Sequence, residues 1–150
     1  MRKRSVGLLL VLLLGLALAA CGGDDEGESE AEREAERGAA FAPICEMTAM
    51  SGETGLPAGF PTPDSVTWVK SEAAGPSRVV EGYAEGDLEG IYDDWHQLFE
   101  DSDYEITFDE QEDHDAEISF EGGGQSGQVK LADECAEGKV YSRVTSRPTG

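Results

Sequence analysis

Leu88-Glu89-Gly90-Ile91-Tyr92-Asp93-Asp94-Trp95-His96-Gln97-Leu98-Phe99 is the stretch that decides the fold. Its apolar residues Leu88, Ile91, Tyr92, Trp95, Leu98 and Phe99 recur at the three- and four-residue spacing of one helix face. Asp93, Asp94, His96, Gln97 and Glu100 fall on the other side. Asp87 stands where an N-cap carboxylate would accept from the first turn, and Glu89 suits the positive end of the helix dipole. The pattern predicts one amphipathic helix over Asp87–Asp101.

On both sides of this helix the apolar period drops from 3.6 to 2. Downstream, Tyr104, Ile106 and Phe108 alternate with polar residues, and Ala116, Ile118 and Phe120 repeat the pattern after a polar loop from Glu110 to His114. This predicts a hairpin with one apolar face. Gly122-Gly123-Gly124 breaks the second run, Val129 and Leu131 open another, and Lys139 to Thr145 makes the last. Upstream, Val66–Val69 and Arg78–Ala84 form two more runs, separated by Ala73-Ala74-Gly75-Pro76. The expected class is α+β: an antiparallel sheet of about five or six strands with the helix packed on one face, in the order ββαββββ. On the opposite, polar face Glu105, Thr107 and Asp109 are expected beside Glu117, Ser119 and Glu121.

Ahead of the sheet, Phe41, Ile44, Met47 and Met50 lie three residues apart around Cys45, which predicts a short helical turn. Ser51–Asp64 holds Pro57, Pro61 and Pro63 with Gly52, Gly55 and Gly59, the composition of an irregular lead-in. Gly22–Ala40 carries eight acids and no apolar residue larger than alanine, so it has nothing to bury. We read residues 21–40 as an acidic, disordered tether and residues 41–150 as a single small α+β domain.

The chain opens differently. A basic triplet, Arg2-Lys3-Arg4, precedes an uncharged apolar run from Val6 to Ala20. That run is shorter than the ~20 residues a bilayer-spanning helix needs. Basic start, apolar middle and small residues before a cut are the parts of an export signal, here residues 1–20. The ending Leu18-Ala19-Ala20-Cys21 resembles the lipobox of bacterial lipoproteins. The resemblance implies cleavage before Cys21, palmitate-type acylation of its sulfur, and a mature protein held to the cell membrane outside the cytoplasm. No cofactor is expected other than this covalent lipid. The folded part is similar to small lipoprotein domains common in actinobacteria, through Phe60-Pro61-Thr62-Pro63, a helix ending before Asp103-Tyr104, and the late Cys135. That likeness implies a class without a mechanism.

Charge narrows the partners. The chain has 32 acidic and 11 basic residues, a formal −21, and three of the basic ones lie ahead of Cys21. A basic patch for nucleic acid or anionic headgroups is excluded by this balance. No Lys or Arg occurs between Arg78 and Lys130, whereas Lys130, Lys139, Arg143 and Arg147 crowd into the tail. Like charges on neighbouring strands repel unless opposite charge stands beside them, and Lys130 and Arg143 are placed to supply it. The abundance of acids also suits a surface hydrated in concentrated salt. With Cys21 lipidated, Cys45 and Cys135 are an even pair in an exported chain, which predicts a disulfide.

Asp109, Asp113 and Asp115 are the candidate metal ligands, in an acidic run that extends to Glu117. Alternate carboxylates suit Ca²⁺, but a calcium loop counted from Asp109 needs Gly and Glu where His114 and Phe120 stand. His96 and His114 are each alone in the sequence and read as surface residues. Ser126 lacks the nucleophile-elbow pattern, and no glycine cluster is followed by Lys-Ser/Thr, so no catalytic residue is assigned. The expected function is a non-enzymatic binding or assembly module of the cell envelope, with an envelope protein as partner. Its contact surfaces would be the acidic sheet face and the outer side of the helix. The alternative is a divalent-cation sensor or ion buffer built on residues 109–117.

Overall fold

The computed structural model describes residues 44–135 and 138–150. Cys21 and the acidic tether therefore lie outside the described residues, as does Phe41. Six strands, β1 (Val66–Ala74), β2 (Ser77–Glu85), β3 (Tyr104–Gln111), β4 (Asp115–Gly122), β5 (Gln125–Ala132) and β6 (Lys139–Pro148), form one antiparallel sheet. Helix α1 (Leu88–Glu100) follows β2. In space the strands run β1-β2-β6-β5-β4-β3. Helix α1 thus carries the chain from β2 across the sheet to the far edge, and the meander β3 to β6 returns to close against β2.

The helix forms where the periodicity places it. Asp87 Oδ1 accepts from Gly90 N at 2.8 Å, satisfying one of the free amides of the first turn. Leu88, Ile91, Trp95 and Phe99 are buried against Ala116, Ile118, Phe120, Val129, Leu131, Val140 and Val144, which fill alternate positions of β4, β5 and β6. Trp95 and Phe99 are fully buried.

Three of the large aromatics on this covered face stand opposite glycine. Trp68 pairs with Gly82, Tyr104 with Gly122, and Phe120 with Gly127. A Cβ at Gly127 would collide with the Thr145 carbonyl and the Phe120 ring. The glycines let the rings lie down on the sheet, an arrangement that shields otherwise bare backbone.

Phe60 completes the cluster from outside the sheet. Its ring lies 5.2 Å from Phe120, 5.4 Å from Tyr104, 5.9 Å from Phe99 and 6.3 Å from Trp95, in the tilted and edge-on geometries that aromatic quadrupoles favour. The segment 44–65 is thus more than a lead-in. Met50 N donates to Trp68 O at 2.8 Å and Ser71 Oγ to Thr54 O, so the segment covers the β1 edge before Leu56 and Phe60 reach the core. Covering an edge removes a template for unwanted strand pairing. Only Ile44 and Cys45 of the expected N-terminal turn are helical among the described residues, and Met47 is 43% exposed instead of packing inward.

Cys45 and Cys135 are bridged, with Cα atoms 5.7 Å apart. The bond ties the start of the described chain to the β5–β6 connection. Around it Cys45, Ala132 and Tyr141 form a small second core with Ile44 and Tyr83 on the face away from α1. For a cross-link of 90 residues' separation chain entropy sets an upper limit of about 4–5 kcal/mol, above the ~2–4 kcal/mol that disulfides typically contribute.

The hairpin β3–β4 departs from simple alternation at one point. Register shifts between Ile106 and Phe108, so Ile106 faces Phe120, Phe108 faces Ser119, and Asp109 faces Ile118. A β-bulge at Thr107 has inserted one residue and reversed the parity beyond it. Phe108, expected on the apolar face, is instead on the open face and 50% exposed. Asp109, expected on the polar face, is turned toward α1.

Candidate functional site

The face of the sheet away from α1 has two ends of different character. At one end lies the disulfide core. The rest is open, and register places its side chains in rows across the strands. One row reads Lys70, Glu81, Arg143, Lys130, Glu117 and Glu110, each directly opposite the next, from β1 to β3. The next row reads Thr145, Gln128, Ser119 and Phe108 from β6 to β3, and a third reads Arg147, Ser126, Glu121 and Glu105.

A shallow basin of about 500 Å³ lies over these rows. Lys130, Arg143 and Arg147 line it, together with the hydroxyl and amide side chains of Thr107, Ser119, Ser126, Gln128 and Thr145. Its only acidic lining residue is Glu121. The face expected to be acidic is therefore two-toned, acidic over β3 and β4 and basic over β5 and β6.

Of the other described bases, Lys70 and Lys139 have partners. Lys70 Nζ lies 3.0 Å from Glu81 Oε2 and 3.2 Å from Glu72 Oε2, bonds that raise its pKa. Lys139 Nζ donates to Cys45 O at 3.1 Å and sits 4.3 Å above the Tyr83 ring. Arg78 lies against Gly55, leaving no room for a Cβ there. Among the described residues, in contrast, no carboxylate forms an ion pair with Lys130, Arg143 or Arg147. Arg147 Nε makes only a long bond, 3.5 Å, to Ser126 Oγ. Lys130 and Arg143, anticipated beside the strand acids, stand directly opposite Glu117 and Glu81 respectively, and also face each other.

Beside the basin stands a part-buried polar pair. Tyr141 Oη donates to Glu81 Oε1 at 2.7 Å. Burial pushes the Glu81 carboxyl up, but hydrogen bonds from Tyr141 and Lys70 and the charges of Lys70 and Arg143 outweigh it and leave the pKa lowered. Burial first, and then the Glu81 bond, push the Tyr141 hydroxyl far up.

The candidate metal ligands are not brought together. Asp109 accepts from Tyr92 Oη at 2.6 Å and lies 4.0 Å from His96 Nε2, beside α1. Asp115 stands opposite Ala132, a position on the open face, and Asp113 lies in the turn between β3 and β4. Among the described residues no three His, Cys, Asp or Glu side chains form a group that could hold a metal ion. His96, on the surface with no second imidazole, has Nδ1 3.7 Å from Glu100 Oε1 and is bracketed by carboxylates. Burial and the Asp109 bond push the Tyr92 hydroxyl up to about 12. No helix among the described residues is long and apolar enough to cross a membrane.

No protein-family model, curated protein or solved structure matches the chain.

Proposed function

We propose that the chain is a lipid-anchored, non-enzymatic binding protein of the cell envelope, and that the open sheet face is its contact surface for an anionic ligand. The anchor rests on Leu18-Ala19-Ala20-Cys21 and the charged stretch that follows it. The binding surface rests on one observation: in a chain of 32 acids, Lys130, Arg143 and Arg147 share a basin and no described carboxylate pairs with them. Lys130 directly opposite Arg143 is a like-charge pair that Glu117 and Glu81 flank in the same row without a close ion pair among the described residues, so an anion over it would relieve the repulsion further. A bound carboxylate or phosphate would do so through charge-assisted hydrogen bonds.

The lining favours a polar ligand over a protein partner. Protein interfaces centre on buried aromatic and apolar anchors. Among the described residues only Met47 and Phe108 are large apolar side chains left exposed, too few for a patch of several hundred Å².

Two tests address the two halves of the proposal. In bacterial cells the chain should incorporate labelled palmitate and fractionate with the membrane, and Cys21→Ala should abolish both; incorporation that persists in the variant contradicts the anchor. In solution, inorganic phosphate at matched ionic strength should shift the backbone amides of β5 and β6 beyond what chloride does. Equal shifts from both salts would show general screening and remove the binding site.

A further inference from the structure

We infer that the ligand of the open face is a short acidic saccharide, a sugar chain of two or three rings bearing carboxylates. This rests on the reading of that face as an anion-binding surface and adds the chemistry of what is bound.

The bulge at Thr107 carries the inference. It places Thr107 in the basin lining and turns Phe108 out on the same side, opposite Ser119, where half of its surface meets solvent. Burial of this ring on the α1 side would have been favourable, so its exposure is a cost to folding. Bulges commonly re-aim a side chain next to a binding site. A flat aromatic at the rim of a hydroxyl-lined, cationic basin matches the three chemical aspects of an acidic sugar. The apolar C–H face of a pyranose stacks on the ring. Its hydroxyls exchange hydrogen bonds with Ser119, Gln128 and Thr145, which continue the Phe108 row across the sheet. Its carboxylate meets Lys130 and Arg143 one row away.

Dimensions and field limit the length. From β3 to β6 is three strand spacings, about 14 Å, enough for more than one ring. The formal −21 repels a long polyanion, whereas a ligand with two or three charges fits over Lys130, Arg143 and Arg147, within a Debye length of about 8 Å, with its charges held clear of the neighbouring Glu81, Glu117 and Glu121.

The test is calorimetric titration of the full chain in detergent micelles with galacturonate and mannuronate trimers, maltotriose as the neutral trimer, and inorganic phosphate. At least one uronate trimer should bind, maltotriose at least roughly tenfold more weakly. Phe108→Ala should weaken the uronate trimer by roughly fivefold to tenfold and leave phosphate unchanged, since only stacking is removed. Arg143→Ala should weaken both by roughly tenfold or more. Phosphate binding that requires Arg143, with no trimer preferred or with Phe108→Ala silent, overturns the saccharide inference and keeps the anion-binding surface. Absence of binding by every probe to the unaltered chain overturns both. Circular dichroism of each variant separates lost binding from lost fold.

Discussion

The two faces of this sheet are built from alternate residues of the same strands, yet they differ in almost every physical respect. Toward α1 the side chains are Val, Ile, Leu and aromatic rings, close-packed, with glycines making room for Trp68, Tyr104 and Phe120. Away from α1 they are Ser, Thr, Gln, Lys, Arg and Glu around a basin, with a single exposed ring. Stability is concentrated on the first face and at the disulfide. Away from the disulfide core, the second is the surface we propose for binding. Residue parity along a strand therefore predicts which property a substitution alters, except where a bulge reverses it.

The sharpest way to break this contrast is to damage the covered face. Trp95→Ala removes the largest fully buried side chain, and urea unfolding should show a loss of about 3–5 kcal/mol. A loss under about 1 kcal/mol would mean the helix is not what holds the fold. Next comes the brace at the edge of the open face. Replacing both Cys45 and Cys135 by Ser should cost about 2–4 kcal/mol in the same assay. Asp87→Ala, which deletes the cap to Gly90, should cost about 1 kcal/mol. Arg143→Ala on the open face should stay within about 0.5 kcal/mol of the parent.

Titration sharpens the contrast further. The Glu81 pKa is lowered in the fold, so its stabilising contribution is complete above the ordinary value of 4.5 and fades as pH falls through the folded value. Glu81→Gln should flatten the acid limb of a melting-temperature profile without moving the neutral plateau much. The Tyr92 hydroxyl behaves in the opposite sense. Its pKa is raised from 10 to about 12, so its contribution is complete below pH 10 and is lost between the two values. Tyr92→Phe should remove that part of the alkaline limb, and an unchanged limb would show that the Asp109 contact does not form in solution.

Much of the covered face was legible in the sequence. Helix α1 announces itself through Leu88, Ile91, Trp95 and Phe99, and Asp87 through its place before them. The β4 run Ala116-Ile118-Phe120 alternates cleanly, and an even cysteine pair in a chain read as exported has few alternatives. What escaped depends on contacts distant in sequence. Phe60 sits in a Pro- and Gly-rich stretch that has no period, and its role exists only once α1, β3 and β4 surround it. The pairing of Trp68 with Gly82 requires the register of β1 on β2. The Thr107 bulge is invisible because Tyr104-Ile106-Phe108 alternates as a flat strand would, and this one shift misplaced both Phe108 and Asp109. The basic tail was visible as composition. That Lys130, Arg143 and Arg147 share a basin follows from the register of β5 on β6.

The most direct test of the central claim is chemical-shift mapping of the full chain in micelles as a uronate trimer is added. Perturbations are predicted at the amides of Ser119, Gln128, Lys130, Arg143 and Thr145 and in the Phe108 ring, with α1 unmoved. Perturbations confined to α1, or to the acidic 109–115 stretch on added Ca²⁺ alone, would contradict it.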